Sequence, residues 1–186
     1  MGLHLRNGPH GYGVVTKTLH WLVFVALTVQ VAVGYLLDAD DSGRGRGRGR
    51  GRGEDSGHGR GRGRGGDDAY DPFGDDALLT VHVVLGATVL LLGAARLAWR
   101  LATPLPPWAP TLSARERRLA HTTETALYTA TFAVPVTGIA LLPAGDDLLA
   151  LHIAAQVVLY ASVAVHVALV LKHQLVDCDQ LLDRMI

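Results

Sequence analysis

Four long apolar runs, separated by polar segments, set the plan of the chain. The first covers about 17–37 and opens TLHWLVFVALTVQ after Lys17; the second, 77–102, is uncharged until Arg96. The third, 119–142, carries one charge, Glu124, near its start, and the fourth, 148–171, carries none. A helix rises about 1.5 Å per residue, so about 20 apolar residues cross a bilayer core. All four runs meet that length. Soluble core helices seldom stay uncharged for so long, which makes a soluble all-α fold the weaker alternative. Short connections join runs two, three and four and predict up-down-up-down packing. The expected fold is therefore all-α, an integral membrane up-down four-helix bundle. It forms one domain over 1–186, with a long low-complexity loop, 38–76, between helices 1 and 2.

Charge then orients the bundle. The connection between runs two and three holds Arg96, Arg100, Arg115, Arg117 and Arg118, whereas Asp146 and Asp147 lie between three and four. By the positive-inside rule both termini are cytoplasmic, in a multi-pass protein of the cell inner (plasma) membrane surrounded by lipid. The first run is preceded by polar residues and is too long for a signal-peptide core, so it reads as an uncleaved anchor. The loop 38–76 then lies outside, although it carries eight arginines, Arg44 to Arg64, beside ten acidic residues. Acidic residues count little in the rule, so the loop opposes this orientation; the short connections are given more weight. The GRGRGRGRGRG and GRGRGRGG runs cannot build a packed core. They read as a flexible loop grown by repeat expansion, or as a positive field that draws small anions to the outer face. Binding RNA requires the opposite topology, so no nucleic-acid partner is expected.

Composition adds little by itself, because the zero net charge reflects segregated charge rather than its absence. The cysteine count says more. Cys178 is the one cysteine, which excludes an intrachain disulfide and any C-x-x-C-H. Haem, if bound, is held by ligation and packing rather than thioether bonds.

The nine histidines carry the chemistry. His4, His10 and His58 lie in polar, glycine-bearing segments. His20, His82, His121, His152, His166 and His173 lie within or at the ends of apolar runs, where ionisable groups are costly and usually functional. His82 follows Asp76 by six residues and His152 follows Asp147 by five, roughly 7–9 Å inside one boundary. His166 precedes Lys172 by six residues, at similar depth from the other side. His20 and His121 each follow a basic residue, Lys17 and Arg118, by three, and depth leaves them tied. His152 and His166 are 14 residues apart, about 21 Å along a helix, and within about 40° of the same direction. One helix thus offers two ligands on one face at two levels, as stacking two haems across a membrane requires, each haem iron taking two neutral imidazoles. A zinc site prefers three or four convergent ligands, often with carboxylate or thiolate, and Glu124 is the lone intramembrane carboxylate. Another metal, a proton path and structural histidines are the alternatives.

These residues resemble the prokaryotic cytochrome b561 family of four-helix di-haem membrane proteins. The first run opens with His20-Trp21, the second has His82 early and ends in RLAWRLATPLPPWAP. The third has Ala120-His121 and later Pro135 and Gly138. The fourth reads LHIAAQVVLYASVAVHVALVLKHQLVDCDQLLDRM. The likeness covers nearly everything outside 38–76. It implies two non-covalent b haems, with His82 and His152 as axial ligands to the iron of the outer one and His20 and His166 to that of the inner one. The choice of His20 over His121 comes from the resemblance. His121 and His173 then stand beside the haem, near its propionates or a quinone. Arg96 and Arg100 either pair with inner propionates or simply obey the positive-inside rule. The sequence departs from the family in its long Arg-Gly insertion, and in Glu124, which stands where members often have a second histidine.

The resemblance implies electron transfer in the membrane to or from the quinone pool, with superoxide oxidation coupled to ubiquinone reduction as the favoured reaction. The outer donor is superoxide or a redox protein. Two other functions stay open: a haem-binding anchor subunit for a dehydrogenase or hydrogenase, and a haem-free metal or proton transporter.

Overall fold

The computed structural model describes residues 4–8, 11–46, 76–108 and 112–178. Four helices run in chain order: α1 (Val14–Arg46), α2 (Ala77–Ala102), α3 (Ala114–Ala144) and α4 (Leu149–Leu175). A single 3-10 turn, Gly145–Leu148, joins α3 to α4. Among the described residues there is no strand, only an isolated bridge between Gly8 and Gly11. All four helices are long and apolar enough to cross a membrane.

Local chemistry sets the helix ends. Asp76 caps α2, its carboxylate accepting from the amides of Leu78 at 2.9 Å and Leu79 at 3.1 Å, which satisfies donors that have no partner inside the helix. The same helix ends at Thr103, in extended conformation (φ −132, ψ 131). Pro104 follows, and a residue before proline is pushed out of the helical region. Ser113 and Glu116 form a capping box at the start of α3: the Ser113 amide donates to Glu116 Oε2 at 2.9 Å and the Glu116 amide to Ser113 Oγ at 3.3 Å.

Two boundaries differ most from the apolar pattern. The third helix begins at Ala114 rather than near 119, because the capping box starts it one polar turn before the lipid-compatible part. The first continues to Arg46, past the expected end at 37 and into the segment read as loop. Its apolar part does stop at Leu37. Residues 38–46 include three Asp, one Ser and two Gly, all poor helix formers, so local propensity does not explain this extension. The rest of the Arg-Gly segment, 47–75, lies outside the described residues.

Consecutive helices pack antiparallel. Gln30, late in the apolar part of α1, bonds His82, early in α2, and Thr16, early in α1, meets Trp99, late in α2. Arg100 at the end of α2 meets Glu124 early in α3, and Thr137 late in α3 meets His152 early in α4. Small residues bring the backbones close, as membrane helices require: Gly86, Val89 and Gly93 of α2 are buried, as are Thr123, Ala130, Thr131 and Pro135 of α3. Leu91, Val84 and Val157 point outward, which suits a lipid surround. No Cα pair of α1 and α4 comes within 8 Å among the described residues. Those two helices therefore meet through side chains across a gap.

Candidate functional site

The antiparallel order brings polar and ionisable groups together at two levels of the bundle. At the first, His82 enters from α2 and His152 from α4, and the two are electrostatic neighbours. The Gln30 amide lies 3.1 Å from His82 Nε2, and the Gln156 amide lies 2.8 Å from His152 Nε2. Thr137 Oγ1 lies 3.0 Å from His152 Nδ1. His82 Nδ1 and Gln30 Oε1 are buried with no hydrogen-bond partner. Such groups are costly to leave unpaired.

Two glycines press against these rings. A Cβ at Gly34 of α1 would stand 3.3 Å from His82 Cε1, and one at Gly138 of α3 would stand 3.1 Å from His152 Cε1. Both distances are below ordinary carbon contact, so any side chain at either glycine crowds the imidazole.

At the second level His20 of α1 and His166 of α4 face each other across the α1–α4 gap. Their ring centres are 6.3 Å apart and their planes tilted by 58°. His20 Nδ1 is buried and unpartnered. Trp21 stands edge-on to His20 with ring centres 5.5 Å apart. Arg96 is in electrostatic range of both histidines, and its guanidinium lies 5.6 Å from the Tyr128 ring centre, a cation–π contact. Arg100 is already committed: it makes a side-on pair with Glu124 at 2.7 and 3.0 Å. That two-point fit ties α2 to α3.

The remaining histidines lie elsewhere. His121 is exposed on α3. His173 is buried near the end of α4 and pairs with Asp177 at 3.0 Å. It belongs to a surface cluster in which Lys172 bridges Glu116 at 2.7 Å and Asp177 at 2.5 Å. His4 is exposed, while His10 and His58 are outside the described residues. Depth alone ties His20 with His121, and the structure sets His20, not His121, against His166.

The sequence pattern singles out none of Gln30, Gly34, Thr137 or Gln156, and marks Gly138 only through the family resemblance. The two glutamines carry a visible signal, since an amide inside an apolar run needs a partner. Thr137 carries none, because Thr28 and Thr88 likewise bond the carbonyl four residues back.

With this geometry in view, the prokaryotic cytochrome b561 family model matches residues 11–186, nearly the whole chain, and the chain belongs to that family. No curated protein and no solved structure matches it. Membership implies b-type haem and electron transfer in a membrane.

Proposed function

We propose that this member of the prokaryotic cytochrome b561 family holds two non-covalent b haems, one between His82 and His152 and one between His20 and His166. Through them it passes electrons to the quinone pool. The observation that carries the reading is the pairing of four histidines at two levels. His20 and His166, with ring centres 6.3 Å apart, would hold one haem iron between them, and His82 and His152 the other. The glycines that leave room beside His82 and His152 add support. A bound haem supplies a one-electron iron couple whose potential follows its axial ligands and their hydrogen bonds.

The chain's own residues bind and tune. Arg96, in electrostatic range of His20 and His166, is the cation suited to a propionate there, while Glu124 already neutralises Arg100. His121 and His173 take no part in ligation. The arginines at 115, 117 and 118 support an orientation with both termini in the cytoplasm of a cell whose inner membrane holds the bundle. The His82–His152 level then lies toward the outer face and the His20–His166 level toward the inner.

Superoxide is the proposed donor: it gives up one electron and leaves as dioxygen. A quinone takes two electrons and two protons, so two superoxide ions serve one quinol. Stopped-flow mixing of the oxidised protein with superoxide, with and without superoxide dismutase, tests this. Haem reduction that dismutase abolishes, followed by reoxidation on adding ubiquinone, is expected. Reduction by quinol without any response to superoxide would remove superoxide as donor. Reduction solely in the presence of a soluble dehydrogenase or hydrogenase would favour the anchor-subunit reading instead.

A further inference from the structure

Thr137 stands out once its three contacts are taken together. Its Oγ1 lies 2.7 Å from the Ala133 carbonyl and 3.0 Å from the Val134 carbonyl, and 3.0 Å from His152 Nδ1. A hydroxyl has one proton, and carbonyls only accept. When that proton goes to either backbone carbonyl, the oxygen accepts toward His152. His152 must then carry its hydrogen on Nδ1 and leave Nε2 as the basic nitrogen. The other side of the ring agrees, since a Gln156 amide nitrogen, a donor, meets Nε2 at 2.8 Å. The Gln156 amide thus favours the Nδ1–H tautomer, and the Thr137 oxygen is placed to accept from it.

The facing histidine differs. His82 has the same kind of amide at Nε2, from Gln30 at 3.1 Å, yet its Nδ1 has no partner. The pair is asymmetric: Thr137 Oγ1 and the Val134 backbone bond the His152 ring, while His82 Nδ1 has no partner.

We infer that Thr137 is a positioning residue: its hydroxyl holds His152 in the Nδ1–H form, presents Nε2 to the metal, and lowers the electron affinity of the centre at that level. This inference rests on the reading of His152 as a ligand. A ligand imidazole that donates its other N–H becomes a stronger base, which favours the oxidised metal. Removing the acceptor makes the centre easier to reduce.

Thr137→Val keeps the shape and deletes the acceptor, while Thr137→Ser keeps the acceptor and deletes a methyl. Potentiometric titration of the purified haem-loaded variants, followed optically, reads each haem separately. In Thr137→Val the reduced-to-oxidised ratio of one haem at fixed potential should rise about tenfold, a midpoint shift of about +59 mV for one electron. The other haem should not move, and Thr137→Ser should return the first to its wild-type midpoint. Loss of that haem in Thr137→Val with retention in Thr137→Ser also supports the inference, because volume alone does not explain it. Midpoints unchanged in Thr137→Val, or altered alike in both variants, would overturn it. His152→Ala separates the two levels of argument. If it keeps both haems, the ligand reading fails; if it loses one while Thr137→Val behaves as wild type, the Thr137 inference alone fails.

Discussion

Gly138→Ala adds one methyl group beside His152 and should loosen a single haem. The new Cβ would lie 3.1 Å from His152 Cε1 and 3.6 Å from Nδ1. Carbon atoms rest at about 3.5–4.0 Å, so the ring must retreat by roughly 0.4–0.9 Å. It is held on both sides, by Thr137 at 3.0 Å and Gln156 at 2.8 Å, and a retreat of that size breaks at least one bond. Ligand geometry tolerates about 0.5 Å. Crowding a packed site costs about 1–3 kcal/mol, while alanine gains about 1 kcal/mol over glycine within a helix. The bundle itself thus loses only about 0–2 kcal/mol. Loss of a ligand's supporting bond weakens metal binding about 10–100-fold. Transfer of haem to excess apomyoglobin should therefore show one of two haems leaving at least about tenfold faster than in wild type. Gly86→Ala is the control, because its Cβ would meet Gln30 and Pro135 at 3.5 and 3.9 Å, ordinary contacts. Wild-type haem retention in Gly138→Ala, or equal loss in Gly86→Ala, would refute the reasoning.

Other perturbations probe the ends of the bundle. A Cβ at Gly13 would lie 2.5 Å from the backbone of Leu5 and Arg6, which cannot move aside. Gly13→Ala should release the N-terminal segment that Asn7 ties to the Gly13 amide, Thr16 and the Pro104 carbonyl, seen as faster proteolysis there with haem content unchanged. Cys178 is the single cysteine and is exposed. A membrane-impermeant maleimide should label it in inverted vesicles and not in intact spheroplasts; the reverse would flip the proposed topology.

Much of this was legible in the sequence because lipid imposes a simple rule. A run without charge for about 20 residues has few alternatives to a spanning helix, and α2 lies where its run begins and ends. The start of α3 was less visible, since its first turn, Ala114 to Arg118, is polar and lies beyond the apolar run. The extension of α1 to Arg46 runs through Asp, Ser and Gly residues that read as a stop, so the sequence pattern points away from it. For the site, the 14-residue spacing on α4 exposed two levels without any tertiary information. What stayed hidden is what depends on how neighbouring helices face one another. Gly34 and Gly138 matter through the rings of His82 and His152, which lie on other helices. Arg100 reads equally well as a free cation until α3 brings Glu124 against it.

Haem quantitation by pyridine haemochrome, on wild type and single histidine variants, bears most directly on the central claim. Wild type should hold about two acid-acetone-extractable haems per chain, each with two imidazole ligands. His82→Ala and His152→Ala should each hold about one and share a spectrum; His20→Ala and His166→Ala should also hold about one and share the other. His121→Ala, altered at an exposed position, should keep both. One haem in the wild-type protein, or loss of the inner haem in His121→Ala while His20→Ala keeps it, would contradict the account.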